Sequence, residues 1–227
     1  MRYDSMSDLE RDSFLAAAAG FACGIAAGPL FLTLVVAQAS LREEFDPSRH
    51  SVSLLSLGPW GWIQIGSFIG CGLMTLAASL AIRRLFGDLT FGPLFIVLGG
   101  LAILAMGLFP ADPVSGFPPS QDQPSSDSAS LHGKLNTMAG FVAVPAIAVA
   151  FLAVASSFAK IGRPNIARGC RVCGVLGIVL GPGATRVALA SPLAWLPWLI
   201  SWGWLVVVCW VGMSILLTKR SALRTRA

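Results

Sequence analysis

Six stretches of this chain are apolar for about 20 residues or more, at about 14–38, 62–82, 90–109, 131–159, 167–187 and 196–218. A helix needs roughly 20 apolar residues to cross a bilayer core about 30 Å thick. The breaks are short and polar: Arg83-Arg84 stops the second stretch, Lys160 the fourth and Lys219-Arg220 the sixth. The pattern predicts a single integral membrane domain over 1–227, all-α, a polytopic helix bundle of six transmembrane helices. Gly20, Gly24 and Gly28 repeat at helical spacing in the first stretch. Such a stripe lets a neighbouring helix approach closely, and it is where an oligomer or a membrane partner would pack.

Two of the connections are unusual. The first carries Phe45-Asp46-Pro47-Ser48-Arg49-His50-Ser51-Val52-Ser53 and runs on through Leu57-Gly58-Pro59-Trp60-Gly61-Trp62-Ile63-Gln64. Asp before Pro is a helix-start signal, so a short helix of about three turns is expected between spans one and two, interfacial or tucked back between the spans, ending near Gly58-Pro59. Arg49, His50 and Ser53 would share one face of it. Trp60 and Trp62 belong at headgroup depth. The other connection, 110–130, is rich in Pro and Ser and excludes a regular helix. Its second half reads as a flexible tether, whereas Phe109-Pro110-Ala111-Asp112-Pro113 holds a carboxylate rigidly beyond a helix end. Ser130 is placed to cap the helix that follows.

Composition narrows the class. At 55% hydrophobic and 12% charged residues, the chain is too apolar for a soluble domain. A net charge of +5 could point to nucleic acid, but the basic residues fall in short clusters between apolar runs, so no nucleic-acid partner is expected. Twelve of the 16 Lys and Arg lie in the two tails, the 83–88 turn and the 160–171 link. That bias predicts a multi-pass protein of the cytoplasmic membrane with both termini cytoplasmic. The opposite, outer face receives six of the eleven acids and both histidines. The N-terminus is acidic and lacks a signal-peptide pattern, so the first span is read as retained. The five cysteines sit within or at the ends of spans. They imply no disulfide framework, and Cys170-x-x-Cys173 reads as ordinary small helix residues.

The chemistry-bearing residues converge from separate segments on the outer face: Asp46, Arg49 and His50, then Asp112, His132 and Arg186. His50, Asp112 and His132 are the candidate acid–base groups. Asp46, Arg49, Ser53, Trp60, Gln64 and Arg186 are the candidate ligand contacts, the arginines suiting a phosphate or carboxylate. No metal site is read, because HxxxH and HExxH spacings are absent. No cofactor is implied, and there is no GxSxG, P-loop or GxGxxG. The bland alternative is that these groups tie the loops together, with Asp46 capping a helix, Arg49 or Arg186 neutralising Asp112, and His132 merely opening a span.

The first motif, together with Phe109-Pro110-Ala111-Asp112-Pro113, Gly116-Phe117-Pro118-Pro119 and Leu131-His132-Gly133, resembles the bacterial DUF998 family of integral membrane proteins. Arg186 corresponds to a late arginine in that family. The resemblance covers about residues 15–217. It implies a six-span helical fold and supplies no activity, so the chain is not assigned as an enzyme on this ground.

Three functions remain open. The leading one is an outer-leaflet polar pocket that binds or modifies a lipid or other amphipathic small molecule. A membrane scaffold would instead use the glycine-rich faces and a purely structural outer cluster. A small proton-coupled permease would need ionisable groups at mid-bilayer, where this chain is apolar.

Overall fold

A computed structural model describes residues 8–87, 91–119, 122, 129–187 and 195–224. Six long helices carry it: α1 (Asp8–Leu41), α2 (Gly61–Phe86), α3 (Phe91–Leu108), α4 (Leu131–Lys160), α5 (Pro164–Val187) and α6 (Leu196–Arg224). Every apolar stretch is therefore a helix. Most run past their apolar limits, since a helix leaving hydrocarbon keeps its backbone bonds and changes only its side chains. α5 continues through Gly181-Pro182-Gly183.

Five of the helices, α1, α2, α3, α4 and α6, are long and apolar enough to cross a membrane. α5 falls short of that measure over the described residues, with Arg168 and Arg171 in its first turns. Consecutive helices pack side by side, and α6 closes the bundle by returning to α1. Small residues permit these crossings. A Cβ on Gly24 would strike Cys209 Sγ of α6 and sit 2.9 Å from Ala78 Cβ of α2; one on Gly72 would lie 2.9 Å from the α3 backbone at Leu104. Phe21, Phe31, Phe68, Phe151 and Trp202 fill the interior, while Leu73, Leu80, Leu94, Leu101 and Val179 are exposed on the outside. A bundle with an apolar exterior is solvated by lipid.

The connection after α1 departs from expectation. No helix follows Asp46-Pro47: residues 47–49 form a turn, and a 3₁₀ helix of five residues, Val52–Ser56, begins beyond His50. The start signal is used for a single turn: the Asp46 carboxylate accepts from the N–H (2.8 Å) and hydroxyl (2.6 Å) of Ser48, and its carbonyl accepts from the N–H of Arg49 (3.0 Å) and of His50 (2.8 Å). The turn ends at Ser51, whose backbone is extended. The 3₁₀ segment then forms where Val52, Leu54 and Leu55 can all be buried. It packs against α2 and α1, as an element tucked back between spans does.

Candidate functional site

The first connection, the 109–119 segment and the start of α6 meet at one end of the bundle, termed here the loop end. Two polar clusters and an aromatic cover form there.

His50 is the centre of the cover. It is 6% exposed, its Nδ1 accepts from the Asp46 backbone N–H at 2.9 Å, and its Nε2 lies 3.2 Å from the Ser115 carbonyl. A carbonyl can only accept, so the proton resides on Nε2, and neither ring nitrogen is free. Ser115 is presented by a two-residue turn, Ser115-Gly116, in which both residues have positive φ and Val114 and Phe117 exchange backbone bonds. Phe117 and Phe45 pack on the imidazole, each with its centroid 5.3 Å away, and Trp195 of the α6 entry meets Phe45 edge-on at 6.3 Å. His50 thus latches the first connection to the second.

Asp112 has different work. Its carboxylate accepts from the Ser130 N–H (2.7 Å) and hydroxyl (2.6 Å), and the Ser130 oxygen in turn accepts from the Gly133 N–H (3.0 Å). Ser130 is thereby the N-cap foreseen for α4, and Asp112 adds a negative charge at the same positive helix end. Gly133 must lack a side chain, because a Cβ there would overlap the Asp112 carboxylate. One turn later, buried Asn136 donates from Nδ2 to the carbonyls of Met106 (3.1 Å) and Phe109 (2.8 Å), satisfying the end of α3. His132 is exposed and stands edge-on to Phe109 at 5.7 Å. Phe109 also borders an apolar groove of about 280 Å³ between α3 and α4.

The remaining sequence candidates scatter. Arg49 is exposed, and Asp46 engages Ser48; the two Ser48 bonds, the hydroxyl's first, hold the Asp46 carboxyl below its ordinary range. Ser53 shares a bond with Ser51, and Trp60 is exposed where an interfacial indole would be. Arg186 lies in the last turn of α5, and its side chain falls outside the described residues. The structure therefore does not join His50, Asp112 and His132 through any described hydrogen bond or ring contact. It places His50 in the cover and the other two at the head of α4. Among the described residues, no group of three His, Cys, Asp or Glu is arranged to hold a metal ion.

Gln64 is the exception, because it leads to groups that sequence reasoning passed over. It is 0% exposed, and its Oε1 accepts from Gln38 Nε2 of α1 at 2.9 Å. Gln38 is also buried, and Arg42, one turn above it, donates to the Leu57 carbonyl (3.0 Å) and to Gln38 Oε1 (3.4 Å). Ser67 lies one turn below Gln64 on α2 and is 3% exposed. Arg42 Nε, Gln64 Nε2 and Ser67 Oγ are all buried without a hydrogen-bond partner, as is Trp202 Nε1 on α6. Burial pulls the Arg42 guanidinium below its usual pKa, but arginine stays charged at neutral pH.

Residues 25–211, most of the chain, match the sequence profile of the family described as "Protein of unknown function (DUF998)". The chain belongs to the DUF998 family. No curated protein and no solved structure matches it. In this DUF998 chain the matched segment contains the cover, the α4 cap and the Gln38–Gln64–Arg42 layer alike.

A signal for that layer was present in the sequence. Gln38 is the only amide side chain between residues 14 and 41, and Gln64 the only one between 62 and 82. Each stands three residues inside the loop-end limit of its helix, Leu41 for α1 and Gly61 for α2. Two antiparallel neighbours with matched amides at equal depth bring those amides together.

Proposed function

We propose that this DUF998 protein binds a lipid or other amphipathic molecule at the outer leaflet of the cytoplasmic membrane. The observation that carries the reading is a polar layer of buried Gln38 and Gln64 with partly buried Arg42, set between helices whose surroundings are apolar. Polar groups within a membrane helix cost free energy unless they serve packing or a ligand, and they are retained where they serve one. Above the layer, the His50-latched cover of Phe45, Phe117 and Trp195 supplies an aromatic wall of the kind that flanks an amphiphile.

The proposal takes six crossings, with α5 as the sixth, and both termini on the basic cytoplasmic side, which the Lys and Arg distribution favours. It assigns His50 and Asp112 to holding the site's walls, since the first has no free nitrogen and the second is engaged at a helix cap. Binding, rather than acid–base chemistry by these groups, is the function that follows. The scaffold alternative is weakened because Gly20, Gly24 and Gly28 already face α2 and α6 within the bundle.

The test is lipid analysis of gently purified protein against the bulk membrane extract. A defined amphiphile enriched on the protein is expected. A bound fraction with the composition of the bulk membrane would contradict the reading.

A further inference from the structure

We infer that the seat formed by Arg42, Gln64 and Ser67 takes the anionic, acceptor-only group of its ligand, a phosphate or a carboxylate. The inference rests on the amphiphile reading above and narrows it to one charge class. Three observations support it.

The first is the sign of what is unpartnered. Gln64 is wholly buried, yet the N–H groups of its Nε2 meet no acceptor, and Arg42 Nε close by is in the same state. The amide acceptors in the seat, Gln64 Oε1 and Gln38 Oε1, are both engaged, and the Ser67 hydroxyl can turn its O–H toward a ligand. A seat whose amide and guanidinium groups leave only donors free favours a group that accepts hydrogen bonds. The second is charge. Arg42 donates only to a carbonyl and an amide oxygen, and no carboxylate among the described residues pairs with it. A partly buried cation held by neutral acceptors leaves one positive charge to be balanced, and a guanidinium matches phosphate or carboxylate oxygens in geometry. The third is depth. Ser67 continues the stripe one turn below Gln64, and Trp202, another buried donor without a partner, stands against Phe31, seven residues or about 10 Å below Gln38 on α1. The partly exposed Arg42 joins the seat to the loop end, so a head group enters at the top with its apolar body directed into the bilayer.

The experiment uses the full chain in detergent micelles, as wild type, Arg42→Gln and Gln64→Leu. Thermal unfolding and native mass spectrometry are followed with added phosphatidylglycerol, oleate, neutral diacylglycerol and inorganic phosphate. Wild type should retain phosphatidylglycerol or oleate, and Arg42→Gln should bind them about 10- to 100-fold more weakly, the loss expected for a charge-assisted hydrogen bond. Gln64→Leu keeps the volume and removes the unpartnered Nε2 together with Oε1, the acceptor of one Gln38 N–H. Its unliganded stability should fall by no more than the loss of that one hydrogen bond, while its anion binding falls, a combination that a purely structural glutamine would not give. Stabilisation by phosphate alone would support the anion seat and identify a free anion as its source. Diacylglycerol held equally by wild type and variants would leave the amphiphile reading standing and overturn the anion seat. Retention of no probe by wild type would overturn both.

Discussion

His50 and Arg42 stand eight residues apart at the same end of the bundle and finish in opposite states. Every polar atom of the imidazole is matched: Asp46 donates to Nδ1, Ser115 accepts from Nε2, and two phenylalanines pack on the ring. The guanidinium and its neighbour Gln64 retain donors that no described residue uses. Both are polar groups buried near a membrane boundary, and residue type alone would favour histidine as the active one. The difference teaches that hydrogen-bonding capacity left over, rather than titratability, separates a site from a fastening. A closed network fixes geometry, whereas an open one awaits a partner.

The contrast can be broken most forcefully at the fastening. His50→Ala leaves the Asp46 N–H and the Ser115 carbonyl unpaired beneath an emptied aromatic cover, and should cost about 3 kcal/mol of stability. Unfolding of purified protein in detergent checks this, and a loss below about 1 kcal/mol would mean that His50 is not a latch. The α4 cap ranks next. Asp112→Ala and Ser130→Ala should each cost about 1–2 kcal/mol. Because the two groups bond each other, the double variant should lose less than the sum; strict additivity would separate them.

At the open seat the cost is smaller. Gln64→Leu should cost no more than about 1 kcal/mol, the one bond from Gln38, although Gln64 is more deeply buried than His50. Smallest of all is the surface. Arg49→Ala should fall within about 0.5 kcal/mol, as expected for an exposed side chain. The Ser48 bonds depress the Asp46 carboxyl, so the turn it closes is fully supported above the ordinary aspartate pKa of about 3.9. That support is lost only as pH falls through the lower folded value. A melting temperature that dropped between pH 7 and 5 in wild type but not in Asp46→Asn would contradict this.

The helices were legible because about 20 apolar residues in a row have one low-energy solution in lipid, and the Ser130 cap was legible because its signal is local. The 3₁₀ segment was not. Asp46-Pro47 carries the right start signal and Asp46 caps one turn, but the chain is extended at Ser51, and the 3₁₀ turn forms beyond it where Val52, Leu54 and Leu55 are buried. The candidate site was legible in part. Gln64 was chosen, whereas Gln38, Arg42 and Ser67 were passed over because an isolated amide, one interfacial arginine and a serine carry no motif. Their significance is pairwise, and it appears only when α1 and α2 are laid side by side. Asp112 was read as held rigidly beyond a helix end and His50 as an acid–base candidate; their partners, Ser130 and the Asp46 and Ser115 backbone, are invisible to a search for catalytic pairs.

The most direct test of the account is the amount of phosphatidylglycerol retained per protein by wild type and by Arg42→Gln, purified identically and measured by native mass spectrometry. The account predicts a defined bound lipid on wild type and a retention lowered about tenfold or more in the variant, with both chains equally folded. Equal retention by the two would contradict it and would place Arg42 among the fastenings of the loop end.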